Sequence, residues 1–113
     1  MIWDETRDSR RWLYPDVPRG TWVNESMANP TLKFYYSDEG SGWNNLEISA
    51  VGTKLRAVLN GVVVMDWDGK AVLDDDVHRK HNVGLRGHIA LQIHTGDQLK
   101  IRFKDIQIKD LSK

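Results

Sequence analysis

The chain has 113 residues, with 16 basic side chains, 16 acidic side chains, four histidines and no cysteine. This length predicts a single domain. The balanced charge argues against nucleic acid as a partner, because phosphate binding needs a basic surface. The absence of cysteine excludes disulfides and thiol chemistry. No run of about 18 apolar residues is present, so no membrane span is predicted.

The N-terminal part of the chain gives few strand signals. Proline and glycine interrupt residues 15–42, which are predicted to be irregular apart from a short strand at Leu32–Tyr36. Strand signals become dense after Trp43 and extend to Trp67, with apolar and polar residues alternating over 46–51 and 54–59. Within this stretch, Asn60-Gly61 separates two strand-like runs and favours a type I′ turn, because both central residues of that turn have positive φ. A β-hairpin is therefore predicted there.

A mostly polar stretch, residues 69–87, follows the hairpin and is predicted to form a loop or a short helical excursion. It contains His78 and His81 beside three consecutive aspartates. A His-x-x-His pair places two ligands on one face only in a helix, and no adjacent apolar periodicity secures a helix here. A solvated loop is favoured over a metal site. No cofactor is predicted, and a divalent metal has no support in the sequence.

The strongest strand pattern lies at the C-terminal end of the chain, between residues 87 and 110. In its first half, apolar residues at 89, 91 and 93 alternate with a polar face that carries His88, Gln92 and His94. A turn at residues 95–97 is predicted to lead into a second strand with Lys100 and Arg102 on its polar face. A change of parity near Lys104 and Asp105 predicts a β-bulge, which would absorb a one-residue slip.

Strands mainly at 43–67 and 87–110, joined by short turns, predict an all-β fold of the antiparallel jelly-roll sandwich type. About five or six strands are fewer than the eight or so of a complete jelly roll. The sandwich is therefore predicted to be incomplete. An unaccompanied chain is also predicted to expose more apolar sheet surface than soluble monomers usually do.

Several local motifs occur in the order found in one known family. They are Ile2-Trp3-Asp4-Glu5, Arg10-Arg11-Trp12-Leu13, Gly42-Trp43-Asn44, Leu59-Asn60-Gly61-Val62, the run from Gly87 to His94, and Ile101-Arg102-Phe103-Lys104-Asp105-Ile106. Each is weak alone, but the ordered set resembles the C-terminal part of the 3-keto-disaccharide hydrolase family, which has a concanavalin A-like jelly roll. The resemblance spans nearly the whole chain.

The resemblance also implies differences from the family. The chain opens at a position that lies mid-domain in the relatives, so the N-terminal strands of the sandwich are expected to be missing. Either the sequence is a fragment, which is the favoured interpretation, or a second copy or a complementing chain supplies the rest. Relatives are commonly exported, which implies a periplasmic or extracellular location, although no leader precedes Ile2.

The activity that the resemblance implies is cleavage of glycosides already oxidised to a ketone at sugar carbon 3. A base removes the proton on carbon 2, the glycosidic oxygen leaves by elimination, and water adds to the resulting enone. His94 is the candidate base or acid, because imidazole titrates nearest neutrality. Arg102 could stabilise the enolate. Asp4 aligns with a segment that lines the sugar cleft and is a candidate for proton transfer. For each, a solvated or structural role is the alternative.

The candidate substrate-binding residues are Gln92, Lys100, Arg11 and Trp12. Gln92 and Lys100 lie on the predicted polar face, and Arg11 and Trp12 belong to the segment aligned with the sugar cleft. A tryptophan in a sandwich is more often part of the core than a sugar platform, and Trp43 is predicted to be structural. The partner is predicted to be a carbohydrate. The alternative function is a non-catalytic carbohydrate-binding or interaction module, because the fold alone does not decide chemistry.

Overall fold

A computed structural model describes residues 2–5, 11–18, 20–21, 29–36 and 42–112. These residues form two antiparallel sheets and one short helix. The all-β prediction is therefore confirmed, and the architecture fits a jelly-roll sandwich. No helix in the part of the chain that the structure describes is long and apolar enough to cross a membrane.

The smaller sheet pairs β1 (Ile2–Asp4) with β2 (Arg11–Tyr14). Trp3 lies opposite Trp12, and their rings meet edge to face with centroids 5.0 Å apart at 70°. This geometry is favoured for aromatic pairs because the positive edge of one ring meets the negative face of the other. The two-stranded sheet is thus stabilised by a tryptophan pair across its ladder.

The larger sheet has the order β3 (Leu46–Val51), β4 (Lys54–Leu59) and β5 (Val62–Asp68). The hairpin predicted at Asn60-Gly61 is confirmed, since φ is 50° at Asn60 and 78° at Gly61. The central strand β4 supplies the core of this sheet. Its Ala57 pairs with Met65 of β5, and both are buried.

The stretch after β5 folds back against the sheet. The helix α1 (Asp76–Lys80) begins after Asp75, whose carboxylate caps it by accepting a hydrogen bond from the His78 backbone N–H at 2.8 Å. Of the two alternatives predicted for this stretch, a loop or a short helical excursion, the structure contains the short helix. Leu73 is buried beside Gly69, where a Cβ would lie 2.6 Å from Leu73 Cγ, so this close approach requires glycine.

The C-terminal strand pattern is not realised as a sheet. Residues 86–110 contain no β-strand. Of the expected hairpin only the turn is formed, with a hydrogen bond from the Asp97 N–H to the His94 carbonyl at 3.2 Å. The prediction of paired strands there is wrong for this structure. The apolar positions are exposed, Ile89 by 82%. The expectation of exposed apolar surface is therefore confirmed. The Cα radius of gyration is 15.5 Å, which is larger than the value of about 13 Å for a compact domain of this length.

Residues 32–36, where a strand was expected, are not part of either sheet in the described structure. This segment is held instead by the side-chain amides of Asn44 and Asn60. Asp105 has a φ of 52°, a local irregularity at the position where the bulge was predicted, but the ladder that would define a bulge is not formed.

Candidate functional site

The described residues form an aromatic groove of about 590 Å³. Three segments build it, namely residues 34–36, residues 42–44 and residues 99–102. Its apolar lining includes Phe34, Tyr36 and Trp43 from the first two segments and Leu99 and Ile101 from the third. Tyr36 is 59% exposed and Trp43 is 37% exposed, so both rings are accessible to a ligand.

Asn44 holds the 34–36 wall of the groove in place. Its Nδ2 donates to the Tyr35 carbonyl at 2.7 Å, and its Oδ1 accepts from the Tyr35 N–H at 2.8 Å. The side-chain amide therefore satisfies both backbone groups of Tyr35, as a neighbouring strand would. Asn60 donates to the same Oδ1 and to the Lys33 carbonyl, each at 2.8 Å. Two amides thus tie this wall to the β4–β5 hairpin.

Cationic groups accompany the aromatic lining. Lys100 and Arg102 both line the groove, and Lys104 places its Nζ 4.2 Å from the centroid of the Trp43 ring. A cation over the face of an indole is attracted to the electron density of the ring. The groove therefore offers apolar faces and positive charge together, which suits a ligand that has an apolar face and electron-rich oxygens.

His94 and Gln92 are exposed and are not part of the groove lining. The His94 side chain is 76% exposed, and its Nδ1 lies 3.8 Å from Asp97 Oδ1. The turn that begins at the His94 carbonyl leads directly into the segment that carries Lys100 and Arg102. Of the predicted polar-face residues, the structure thus brings Lys100 and Arg102 into the groove.

Asp4 has a different environment, because it is buried together with His78. The His78 Nε2 lies 3.6 Å from Asp4 Oδ1, and its Nδ1 lies 2.7 Å from Asp75 Oδ1. An imidazole between two carboxylates links β1 to the start of α1. The interpretation of this stretch as a solvated loop is wrong for His78, which is 3% exposed, whereas His81 is exposed.

Trp12 and Arg11 lie on β2 next to Asp4. Trp12 is half-buried against Trp3, and Arg11 is exposed at the position opposite Asp4 in the ladder. Neither lines the aromatic groove. Arg10, which belongs to one of the family motifs, lies outside the described residues.

The predicted catalytic residues therefore occupy three environments: Arg102 in the groove, His94 in an exposed turn, and Asp4 in a buried cluster with His78. Sequence reasoning missed the aromatic wall at 34–36 and the role of Asn44. The signal that could have found them is the aromatic run Phe34-Tyr35-Tyr36 followed by Trp43-Asn44. Within the described ranges, no group of three or more histidine, aspartate or glutamate side chains is arranged to hold a metal ion.

Comparison with known proteins identifies one family. The model of the 3-keto-alpha-glucoside-1,2-lyase-like domain matches residues 2–109, which is nearly the whole chain. No curated protein and no solved structure matches the chain. The resemblance that the ordered motifs indicate is thereby confirmed.

Proposed function

The chain belongs to the 3-keto-alpha-glucoside-1,2-lyase-like family, and on that premise we propose that it binds and cleaves 3-keto glycosides in the aromatic groove. The observation that carries the proposal is the combination of aromatic rings with Arg102 and Lys100 in one groove of about 590 Å³. An aromatic face packs against the apolar face of a pyranose, and a cation placed beside a ketone stabilises the enolate that forms from it.

The proposed reaction proceeds in two stages. A base takes the proton from carbon 2, and the electron pair of that C–H bond forms the enolate of the carbon-3 ketone. When the ketone re-forms, a double bond forms between carbons 1 and 2, the bond from carbon 1 to the glycosidic oxygen breaks, and the leaving group departs with that electron pair. Water then adds to carbon 1 while carbon 2 regains a proton, so the net result is hydrolysis without oxidation or reduction.

Arg102 is the proposed enolate-stabilising group, because it is permanently charged and lines the groove. Lys100, which lines the same wall, is the proposed second cation for ketone or hydroxyl oxygens. His94 is the proposed base, since an imidazole side chain can accept a proton in general base catalysis, and the turn that begins at its carbonyl leads into the segment that carries Lys100 and Arg102. Binding of hydroxyls by Gln92 and Arg11 stays a prediction.

For Asp4 and Trp12 the contacts favour structural roles. Asp4 is buried against His78, and Trp12 packs on Trp3 across the β1–β2 ladder. We therefore leave Asp4 out of the proposed proton transfers and Trp12 out of the proposed sugar contacts. The periplasmic or extracellular location implied by the resemblance is part of the proposal.

The test separates the proton abstraction from the later steps. Exchange of the carbon-2 hydrogen of a 3-keto glucoside is followed by NMR in D2O, together with release of the leaving group. We expect His94→Ala to slow exchange by about 10²–10⁴-fold and Arg102→Gln by about 10²–10³-fold. His81→Ala is the matched control, because His81 is an exposed histidine that does not line the groove, and it should retain full activity. Equal rates for His94→Ala and His81→Ala would remove His94 from the mechanism.

The second candidate function is a non-catalytic carbohydrate-binding module. The observation that favours it is the separation of Arg102, His94 and Asp4 into three environments. In that case the chain would bind glycosides in the groove, and Arg102→Gln would weaken binding, but neither exchange at carbon 2 nor release of the leaving group would occur.

A further inference from the structure

We propose that the groove is selective for glycosides with a planar aromatic aglycone, so that the preferred substrate is an aryl 3-keto glycoside rather than a disaccharide. This inference rests on the proposed function and names its substrate class. It follows from the amount, the shape and the charge of the groove lining.

The amount of apolar lining exceeds what one sugar ring uses. A pyranose presents one apolar face, which a single aromatic side chain covers. The groove offers the rings of Phe34, Tyr36 and Trp43 and, from the facing segment, the aliphatic side chains of Leu99 and Ile101. Once one ring is stacked on the sugar, the remaining apolar surface gains free energy only from an apolar group of the ligand. The hydroxylated second ring of a disaccharide would instead lose its hydration there.

The shape of the aromatic wall suits a flat group. Phe34 and Tyr36 meet edge to face, with centroids 5.4 Å apart at an interplanar angle of 72°. Two rings at this angle form a corner, in which a third ring can stack on one while its edge meets the other. Both side chains remain exposed, by 40% for Phe34 and 59% for Tyr36. Asn44 fixes the backbone of Tyr35 between them, so the corner is formed before a ligand arrives.

The charge of the groove favours a phenolic leaving group. Lys100 and Arg102 lie on one short segment of the lining. Elimination leaves negative charge on the glycosidic oxygen, and a phenol, with a pKa near that of tyrosine at about 10, carries that charge more readily than a sugar hydroxyl. Arg102 at the enolate and Lys100 at the departing phenolate would stabilise the two oxygens on which charge develops.

Equilibrium binding of unoxidised ligands tests the selectivity without requiring turnover. The ligands are phenyl α- and β-glucoside, the corresponding methyl glucosides and trehalose, each titrated with detection by tryptophan fluorescence and ligand-observed NMR. We expect at least one phenyl glucoside to bind about tenfold or more tightly than trehalose. Tyr36→Ala should remove most of that advantage. Leu85→Ala, an exposed apolar side chain outside the groove lining, is the matched control. Equal affinity for phenyl glucosides and trehalose overturns the inference, as does an unchanged advantage in Tyr36→Ala.

Turnover separates the inference from the function on which it rests. If 3-keto phenyl glucoside and 3-keto trehalose are cleaved with equal kcat/KM, the selectivity is refuted and the proposed function stands. If neither is cleaved, the proposed function fails, and the binding comparison alone decides the selectivity. Sedimentation of the chain with and without phenyl glucoside tests whether a second copy of the chain occupies the groove. Self-association that phenyl glucoside does not reverse, with no detectable binding of the glucoside, would indicate that a second copy fills the groove, and would also overturn the inference.

Discussion

Replacement of Asn44 by alanine would remove the support of the 34–36 wall without touching the aromatic rings. The Asn44 side chain makes three hydrogen bonds: two with the backbone of Tyr35, at 2.7 and 2.8 Å, and one with Asn60 Nδ2, at 2.8 Å. In the described structure the Tyr35 segment has no ladder partner. The amide of Asn44 is therefore what pairs the Tyr35 N–H and carbonyl.

The magnitude follows from these bonds. A net contribution of about 1 kcal/mol for each hydrogen bond gives about 3 kcal/mol for the three. Tyr35 is only part-buried, so water can replace some of the lost pairing, and we expect Asn44→Ala to lower the free energy of unfolding by about 2–3 kcal/mol. Because the corner of Phe34 and Tyr36 then loses its fixed backbone, affinity for phenyl glucosides should fall as well.

Urea unfolding followed by tryptophan fluorescence measures the stability change, and hydrogen exchange at the Tyr35 amide shows where it arises. Asn45→Ala is the matched control. Asn45 is the exposed neighbour, whose backbone rather than its side chain bonds to Asn60, so its replacement should cost less than about 0.5 kcal/mol. If the two variants unfold within 0.5 kcal/mol of each other, or if the Tyr35 amide keeps its protection, the amide of Asn44 does not support the wall.

Two further predictions concern side chains outside the groove. The Thr53 hydroxyl donates to Asp68 Oδ1 at 2.6 Å, and the Lys70 backbone N–H donates to the same oxygen. These two hydrogen bonds hold the pKa of Asp68 below its usual 3.8. Thr53→Val should therefore raise the pKa of Asp68, which NMR of the carboxyl carbon measures. The stabilisation of the folded chain by the Asp68 carboxylate is present above the usual pKa and is lost as the pH falls through the lowered pKa. An unchanged pKa of Asp68 in Thr53→Val would contradict the role of the Thr53 hydroxyl. His78→Ala should lower the free energy of unfolding in urea by about 3 kcal/mol, because it breaks a buried carboxylate–imidazole cluster. Replacement of the exposed His81 by alanine should lower it by less than about 0.5 kcal/mol. Similar losses in the two variants would show that the buried contacts of His78 do not stabilise the fold.

The larger sheet could be predicted from the sequence because its signals are local. Asn60-Gly61 takes positive φ at both positions, which few other dipeptides accept. The alternation on either side then sets the pairing of β4 with β5, in which Ala57 meets Met65. Turn chemistry and side-chain period act over a few residues, so no knowledge of distant parts of the chain is needed.

The C-terminal segment shows the limit of the same reasoning. The alternation from residue 87 to residue 110 indicates where side chains would point in a sheet, but a strand forms only when its backbone N–H and carbonyl groups find a neighbour. Among the described residues, the backbone hydrogen bond found within this segment is a turn, in which the Asp97 N–H donates to the His94 carbonyl. The alternation of apolar and polar residues therefore predicts that a segment is able to form a strand, but not that a neighbouring strand is present to pair with it.

The buried cluster of Asp4, His78 and Asp75 could not be predicted for a related reason. Three consecutive aspartates and two histidines are typical of a solvated loop, and Asp75 and His78 fit that description when considered alone. The burial of His78 depends on β1, at the other end of the chain, where Asp4 supplies the second carboxylate. Long-range pairing of a titratable group leaves no mark on local composition.

Asn60 illustrates how a turn signal and a site requirement meet in one residue. The turn alone would accept aspartate or glycine at this position, since both are common at positive φ in type I′ hairpins. In the structure, however, its Nδ2 donates to the Lys33 carbonyl and to Asn44 Oδ1, while its Oδ1 accepts from the Asn45 N–H. A carboxylate supplies no donor and glycine supplies neither group. Of the residues that suit the turn, only asparagine therefore also holds the aromatic wall, and this links the local hairpin chemistry to the shape of the groove.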